Sequence, residues 1–290
     1  MPYEQTTDRV VLKHPQGASA EILLYGATVL SWKSPDATNS TPTERLFVSS
    51  KAALDGSKPV RGGIPVVFPC FGPPSHPEHL KLAQHGFARS EVWTFDSVVM
   101  DNDAGVSVRF TLGPTPKISA LYDRPFQLAY VVTLAAHELS TNLHVTNPSP
   151  SGSGPLTFQA LLHTYLRVPS SEVRISALQG KKYVDKTAGG AVKEETREFV
   201  DVRATTDAVY EDAPGQVEVR WGAEGHGMLV RMREFTTLTV WNPQAEGAKI
   251  GDMEDGGWER YVCVEPGIAR GFKDLEPGRT WIGQQVLSLL

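Results

Sequence analysis

The stretch VSVRFTL, residues 106–112, alternates apolar and polar side chains without a break, and VEVRW, residues 217–221, does the same. A period of two places the apolar side chains on one face of a β-strand and the polar ones on the other. Runs rich in β-branched and aromatic residues, most of them bounded by turn-forming residues, predict further strands at residues 20–24, 27–32, 126–134, 139–146, 173–178, 228–232 and 238–241. Gly26 predicts a tight turn between the first two of these, because glycine readily adopts positive φ.

Helix signals are weak in this chain. No segment carries the apolar positions of a three-turn amphipathic helix, and only residues 50–54 and 117–122 could form a turn or so. We therefore predict an all-β protein of a dozen or more strands, folded as a large antiparallel β-sandwich. The loop-like stretches at 34–43, 72–79 and 147–154 have strand-like segments on both sides, which predicts a single domain over residues 1–290.

Composition and charge exclude several classes of protein. The 290 residues contain 28 Lys and Arg against 33 Asp and Glu, a formal net charge of −5, and no basic block that would favour a nucleic-acid partner. No apolar stretch approaches the ~20 residues of a membrane span, and the N-terminal residues lack the pattern of a secretory signal. Cys70 and Cys263, the only two cysteines, predict neither a disulfide framework nor a zinc motif. We expect a cytoplasmic monomer.

The first segment with residues suited to binding or catalysis is 61–89. RGGIPVVFPCFG begins at Arg61, and QHGFAR ends at Arg89. The two glycines after Arg61 allow a close backbone approach, and two converging guanidinium groups would suit a dianionic phosphate. The alternative is that each arginine pairs with an acidic residue at the surface.

The second segment is LTFQALLHTYLRV, residues 156–168. If it forms one strand, one face is nearly all apolar and the other carries Gln159, Leu161, His163, Tyr165 and Arg167. A central strand that lines a polar cleft has this pattern, and so does a half-exposed strand with a solvated face. His163 can exchange protons near neutrality because the ordinary pKa of histidine is about 6.5.

The third segment is RYVCVEPG, residues 260–267. Glu265 ends a continuous apolar run and precedes a Pro-Gly turn, so its carboxylate would be partly desolvated and a stronger proton acceptor. The alternative is an ion pair with a nearby arginine. Trp241 could face a sugar or belong to the core, and Asp207 could bind hydroxyl groups or cap its own turn.

The motifs of several common enzymes and metal sites are absent. The sequence has no G-x-G-x-x-G, P-loop, G-x-S-x-G or H-E-x-x-H motif. The spacing of His76, His79 and His85 fits no standard metal site. We therefore expect neither a cofactor nor a metal.

Six segments together resemble the hexose-6-phosphate mutarotases of the aldose 1-epimerase superfamily. They are RGGIPVVFPCFG, QHGFAR, LLHTYLRV, YVDKTAGG, WNP and VCVEPG, in the order found in that family. The resemblance implies a galactose-mutarotase-like β-sandwich that binds its sugar in a cleft on one sheet, without a cofactor or metal. It implies His163 and Glu265 as catalytic residues and Arg61 and Arg89 at the phosphate. It also places Gln84, His85 and Asp207 at the sugar.

The implied activity is interconversion of the α and β anomers of a hexose 6-phosphate, chiefly glucose 6-phosphate. Glu265 would remove the proton of the anomeric hydroxyl while His163 protonates the ring oxygen, so that the ring opens, rotates about C1–C2 and closes again. Two alternatives stay open: a mutarotase for unphosphorylated aldoses, and a non-catalytic carbohydrate-binding protein of the same fold. A retaining glycosidase needs two carboxylates, and only Glu265 is a good candidate.

Overall fold

The computed structural model describes residues 2–36, 40–222 and 226–290 of the chain. Residues 37–39 of the loop predicted at 34–43 lie outside these ranges. The first ten strands are β1 (Tyr3–Gln5), β2 (Arg9–Lys13), β3 (Ser19–Leu23), β4 (Thr28–Ser34), β5 (Thr43–Glu44), β6 (Val66–Val67), β7 (Thr94–Asn102), β8 (Gly105–Leu112), β9 (Gln127–Leu134) and β10 (Glu138–Thr146).

Thirteen more strands follow in the described part of the chain. They are β11 (Leu156–Phe158), β12 (Leu161–Leu162), β13 (Tyr165–Arg167), β14 (Arg174–Ile175), β15 (Lys182–Asp185), β16 (Ala191–Glu194), β17 (Thr206–Glu211), β18 (Gln216–Trp221), β19 (His226–Arg233), β20 (Thr237–Asn242), β21 (Tyr261–Gly267), β22 (Lys273–Leu275) and β23 (Thr280–Leu289).

Helical structure in the described residues is confined to short segments. One α-helical turn, α1 (Pro116–Ser119), lies at the start of the predicted turn at 117–122, whereas residues 50–54 form no helix. Short 3-10 segments occur at Pro77–His79, Ala88–Ser90, Ser170–Glu172, Lys186–Ala188, Gln244–Lys249 and Gly257–Arg260. None of the helices in the described ranges has the length and hydropathy of a membrane-spanning segment.

Two large antiparallel sheets dominate the architecture. The first, called the site sheet here, has the order β16-β15-β17-β20-β21-β12-β6, with β13 also paired to β21. The second, called the back sheet, has the order β14-β18-β19-β23-β10-β9-β8-β7. A five-stranded sheet, β1 to β5, and the pair β11-β22 complete the arrangement.

The main hydrophobic core lies between the site sheet and the back sheet. Phe110 and Tyr130 of the back sheet belong to one buried cluster with Leu162, Val262 and Val264 of the site sheet. The predicted antiparallel β-sandwich is therefore confirmed. The alternate residues of the site sheet point to its outer face, where the candidate chemical groups lie.

The segment at residues 156–168 is not the single strand that the sequence predicts. It stays extended but breaks into β11, β12 and β13. The backbone N–H of Gln159 donates to the Pro69 carbonyl, and that of His163 donates to the Pro65 carbonyl. A proline has no N–H to return such a bond, so the regular ladder stops at both places. The predicted alternation of faces survives, because Leu162 and Leu166 enter the main core while Tyr165 enters a cluster on the opposite side.

Glycines bring the Arg61 segment and the Arg89 segment close to the sheet. Gly63 has φ of +67°, and a Cβ atom there would overlap the carbonyl oxygen of Val29. Gly86 has φ of +70°, and a Cβ atom there would overlap the carbonyl oxygen of Phe68. Because only glycine fits these backbone positions, both segments can lie directly against neighbouring strands.

Candidate active site

The predicted catalytic residues lie side by side on the site sheet, Glu265 on β21 and His163 in the two-residue gap between β12 and β13. Tyr165 pairs with Cys263 and Leu161 pairs with Gly267 in the antiparallel register, so His163 lies opposite Glu265. Both side chains are buried, with 8% of His163 and 1% of Glu265 exposed. The alternation that brings His163 and Glu265 to one face is the pattern already visible in the sequence.

The His163–Glu265 contact is close without being a hydrogen bond. Nδ1 of His163 lies 3.2 Å from Oε1 of Glu265, yet Nδ1 has no hydrogen-bond partner among the described residues. Oε2 of Glu265 also has none. Glu265 therefore does not serve as a hydrogen-bonded orienting group for the imidazole, and both groups remain available to a ligand.

Aromatic side chains fix the orientation of the His163 ring instead. Its ring stacks on that of Tyr165 with a centroid distance of 4.8 Å and an interplanar angle of 9°. The Trp241 ring meets it edge-on at 5.9 Å. This packing restricts the imidazole without using its nitrogen atoms.

Neighbouring strands extend the floor of the site. Thr239 of β20 lies opposite Glu265, and Asp207 of β17 lies opposite Trp241. Oγ1 of Thr239 is buried without a hydrogen-bond partner in the described part of the chain. The floor thus combines a carboxylate, a hydroxyl and a flat aromatic ring beside His163 and Glu265.

The segment after Pro69 forms a wall of the cavity. Phe71, Gln84 and His85 line it together with the floor residues. The backbone N–H of Gly72 donates to Nδ1 of His85 at 3.1 Å, so the neutral ring carries its proton on Nε2. Burial, reinforced by nearby cations, lowers the pKa of His85 to about 3. His85 is therefore a neutral donor at ordinary pH.

The two predicted phosphate-binding arginines differ in their surroundings. Arg61 lines the cavity, and it donates from Nε to Asp252 Oδ1 at 3.0 Å and from Nη1 to the Tyr165 hydroxyl at 3.3 Å. Arg89 lies behind Gln84, where its Nη2 donates to the Gln84 carbonyl at 2.9 Å. Nε of Arg89 is buried and has no partner among the described residues.

Lys186 adds a third cation to the lining of the cavity. Its Nζ lies 3.7 Å from Oδ1 of Asp207 and 4.6 Å from the centroid of the Phe71 ring. Asp207 therefore faces both the cavity and a lysine. This is a different arrangement from an aspartate that caps its own turn.

Burial disfavours charge on both His163 and Glu265 in the free site. Desolvation, followed by the charge of Asp207, raises the pKa of Glu265 well above its ordinary value. Desolvation, followed by the nearby histidine and arginine charges, lowers the pKa of His163 well below its ordinary value. Both shifts favour a carboxylic acid beside a neutral imidazole. A carboxylic acid beside a neutral imidazole carries the same number of protons as a carboxylate beside an imidazolium. Transfer of one proton from Glu265 to His163 therefore converts the first form into the second.

Most of the predicted site residues lie together. Six of the seven line one cavity, namely Arg61, Gln84, His85, His163, Asp207 and Glu265, and Arg89 borders it from behind Gln84. The sequence analysis did not predict four residues at or beside the site: Phe71, Lys186, Thr239 and Asp252. Trp241, for which the sequence left a sugar contact and a core position open, also lines the cavity. A larger cavity of about 630 Å³ lies on the outer face of the back sheet and contains none of the seven.

One group of residues could hold a metal ion. Among the described residues, His163, Cys263 and Glu265 are the only three histidine, cysteine or acidic side chains whose ligand atoms cluster, all within 4.8 Å of one another. His76 and His79 have rings 5.0 Å apart but form no such group with His85.

Comparison with known proteins gives the class and the family of this chain. The chain belongs to the aldose 1-epimerase family, whose profile matches residues 8–288. It is therefore an isomerase, an aldose 1-epimerase or mutarotase.

Three individual proteins are similar to this chain over most of its length. The chain is 31% identical to a protein of Cenchrus ciliaris that carries the provisional name glucose-6-phosphate 1-epimerase, over 97% of this chain and 84% of that one. An Escherichia coli K12 protein with the same provisional name is 30% identical, over 90% of this chain and 83% of that one. The crystal structure of YeaD from Salmonella typhimurium, provisionally described as a mutarotase, superposes with a TM-score of 0.84 at 24% identity, over 99% of this chain and 92% of that one.

Proposed function

We propose that this enzyme interconverts the α and β anomers of hexose 6-phosphates, chiefly glucose 6-phosphate. The observation that carries the proposal is a set of buried polar atoms without partners in the described chain. Nδ1 of His163, Oε2 of Glu265 and Oγ1 of Thr239 belong to residues that line one cavity, and Nε of Arg89 belongs to a residue hydrogen-bonded to Gln84 of the same lining. Buried polar groups are normally hydrogen-bonded, so a cluster of exceptions indicates a polar ligand. The names of the two relatives support the same substrate class.

Arg89 and Arg61 supply the groups for the phosphate. Arg89 has a free buried Nε and no carboxylate partner among the described residues, so a dianionic phosphate would satisfy an otherwise unbonded charge. Arg61 keeps its Nε on Asp252 and one N–H of Nη1 on Tyr165, and it offers its remaining N–H groups. Because a guanidinium group donates in a planar fork, the pair can hold a phosphate at one end of the cavity.

Glu265 and His163 supply the acid-base chemistry at the other end of the sugar. The carboxylate of Glu265 takes the proton from the anomeric O1–H, and His163 gives its proton to the ring oxygen as the C1–O5 bond breaks. After rotation about C1–C2, ring closure on the other face returns both protons. Each positioned proton donor or acceptor contributes about 10²–10⁴ to the rate. The number of protons on the enzyme pair is unchanged over the cycle.

Residues around the pair would hold the sugar hydroxyls and ring. His85, neutral and protonated on Nε2, donates a hydrogen bond, and Asp207 accepts from hydroxyl groups. Trp241 and Phe71 offer flat apolar surfaces to the carbon skeleton. Phosphate binding energy would anchor the molecule while C1–C2 rotates, which keeps the open-chain form in place.

A second candidate function has a specific observation in its favour. Arg61 already contacts Asp252 and Tyr165, so its charge is partly neutralised before any substrate binds. This favours an unphosphorylated aldose as substrate. Arg89, which has no such carboxylate among the described residues, favours the phosphorylated one.

The test is a magnetisation-transfer NMR measurement of α/β exchange on glucose 6-phosphate, glucose and galactose, each corrected for the spontaneous rate. We expect kcat/KM for glucose 6-phosphate to exceed that for glucose by about 100-fold, since a charge-assisted contact contributes roughly 1.5–3 kcal/mol. Equal or faster exchange of free glucose or galactose would establish the second candidate. Binding without exchange of any sugar would establish a non-catalytic carbohydrate-binding protein.

A further inference from the structure

Cys263 lies beneath the catalytic pair and has no part in the proposed reaction. It precedes Glu265 by two residues on β21, so both side chains leave the same face of the strand. Its sulfur, a ring nitrogen of His163 and a carboxylate oxygen of Glu265 all lie within 4.8 Å of one another, and all three residues are buried. A sulfur, a nitrogen and an oxygen thus converge on one point.

Two of these three groups have unsatisfied atoms. Nδ1 of His163 and Oε2 of Glu265 have no hydrogen-bond partner in the described ranges. Zinc binds sulfur at about 2.3 Å and nitrogen or oxygen at about 2.0–2.2 Å, so in a tetrahedral site the ligand atoms are roughly 3.3–3.7 Å apart. Nδ1 of His163 and Oε1 of Glu265 are already 3.2 Å apart. Side-chain movement of about 1 Å would bring the sulfur into range.

We propose that His163, Cys263 and Glu265 form an inhibitory site for a thiophilic divalent cation, with Zn²⁺ as the representative ion. The three protein ligands leave the fourth position of the tetrahedron for water from the cavity. Two protons leave to solvent as the ion binds, one from the Cys263 thiol and the one that the Glu265–His163 pair holds in the free site, so the ligands are a thiolate, a carboxylate and a neutral imidazole. No electron is transferred, and the thiolate and carboxylate balance the two positive charges of the ion.

Charge and ligand type determine which ions bind. Arg61, Arg89 and Lys186 make the surroundings positive, so a cation is held only if its ligands neutralise it. Mg²⁺ and Ca²⁺ prefer oxygen ligands and gain little from a thiolate. The site is therefore selective for Zn²⁺ and Co²⁺ over Mg²⁺. Because the ion occupies His163 and Glu265, it excludes proton transfer to the sugar.

The first experiment measures binding without reference to activity. Co²⁺ is titrated into the full chain, and the near-ultraviolet thiolate-to-cobalt charge-transfer band is recorded, followed by displacement with Zn²⁺. The matched control is Cys70→Ser, which alters the only other cysteine, also buried. We expect the band in the wild type and in Cys70→Ser, and its loss in Cys263→Ser, with Zn²⁺ affinity at least about tenfold weaker. Cys263→Ala repeats the test if the serine variant does not fold.

Absence of the band in the wild type, or its persistence in Cys263→Ser, would overturn the metal site. The second experiment measures anomer exchange with Zn²⁺ or Mg²⁺ at equal concentration. Zn²⁺ should inhibit the wild type and Cys70→Ser but not Cys263→Ser, and Mg²⁺ should have no effect. Zn²⁺ bound without inhibition would overturn the competition. Inhibition rests on the proposed function, but the cobalt band does not: a chain that gives the band and exchanges no sugar refutes the proposed function alone.

Discussion

Oδ1 of Asp252 accepts a hydrogen bond from Nε of Arg61 at 3.0 Å, whereas no carboxylate of the described residues pairs with Arg89. The two arginines that the sequence groups together are therefore electrostatically unequal. Arg89 holds a charge that no described carboxylate balances, and Arg61 holds one that Asp252 already partly balances.

The first prediction concerns Arg89. Arg89→Ala should lower kcat/KM for glucose 6-phosphate by about 10- to 100-fold, because a charge-assisted hydrogen bond to phosphate is lost. The exchange of free glucose, measured in the same NMR assay, should change little. The control is Arg109→Ala, which removes an exposed arginine 3.9 Å from Asp96. Equal losses for the two sugars would remove Arg89 from the phosphate site.

The second prediction concerns Arg61 and Asp252 as a pair. Arg61→Ala leaves the Asp252 carboxylate without its arginine partner, close to the proposed phosphate site. Adding Asp252→Asn should therefore restore part of the lost glucose 6-phosphate activity, by about threefold to tenfold, corresponding to ~1 kcal/mol. A double-mutant cycle of kcat/KM checks this. A double variant no better than Arg61→Ala would show that Asp252 does not act through charge.

The third prediction concerns the glycine that brings the Arg61 segment against the sheet. Gly63→Ala should lower the free energy of unfolding by at least ~3 kcal/mol, because the new Cβ atom overlaps the Val29 carbonyl oxygen. Gly189 has nearly the same φ, +66°, but open space around it. Gly189→Ala should therefore cost only roughly 1–2 kcal/mol. Thermal and urea unfolding of both variants separate overlap from backbone strain, and similar losses would contradict the steric explanation.

The fourth prediction concerns stability in acid. Burial lowers the pKa of His79 to about 4, while Nε2 donates to the Thr157 carbonyl at 3.2 Å. Protonation is therefore easier in the unfolded chain, and this histidine removes stability as the pH falls from about 6.5 towards about 4. Between about pH 7 and pH 4.5, the free energy of unfolding measured in urea should fall by roughly 2–3 kcal/mol less in His79→Phe than in the wild type. His79→Gln, which keeps a donor, should do likewise, and parallel pH curves would refute the assignment.

Local patterns in the sequence predict much of the fold and the catalytic pair. Alternation around His163 and Glu265 gives their faces correctly, because side-chain direction in an extended chain depends only on parity. The glycines after Arg61 likewise show where the backbone must pass close to a neighbour. The break in the strand at residues 156–168 depends on Pro65 and Pro69, which contact it only after the chain has folded.

The remaining site residues depend on long-range pairing. Thr239 lies two residues before Trp241 and therefore on the same face of β20. Its position beside Glu265 follows from the register between β20 and β21. Lys186 reaches the site because it directly follows β15 at the rim of the site sheet, and Asp252 comes from a loop without alternation. The monomeric state, the cytoplasmic location, the single domain and the absence of a cofactor stay predictions.

The central claim is that Glu265 exchanges the anomeric proton of a hexose 6-phosphate. Magnetisation-transfer NMR of glucose 6-phosphate with the wild type and with Glu265→Gln, which keeps the size of the side chain and removes the base, tests it directly. We expect rapid α/β exchange in the wild type and a loss of about 10²–10⁴ in Glu265→Gln, with sugar-phosphate binding by calorimetry retained. Exchange at the wild-type rate in Glu265→Gln would contradict the proposed mechanism.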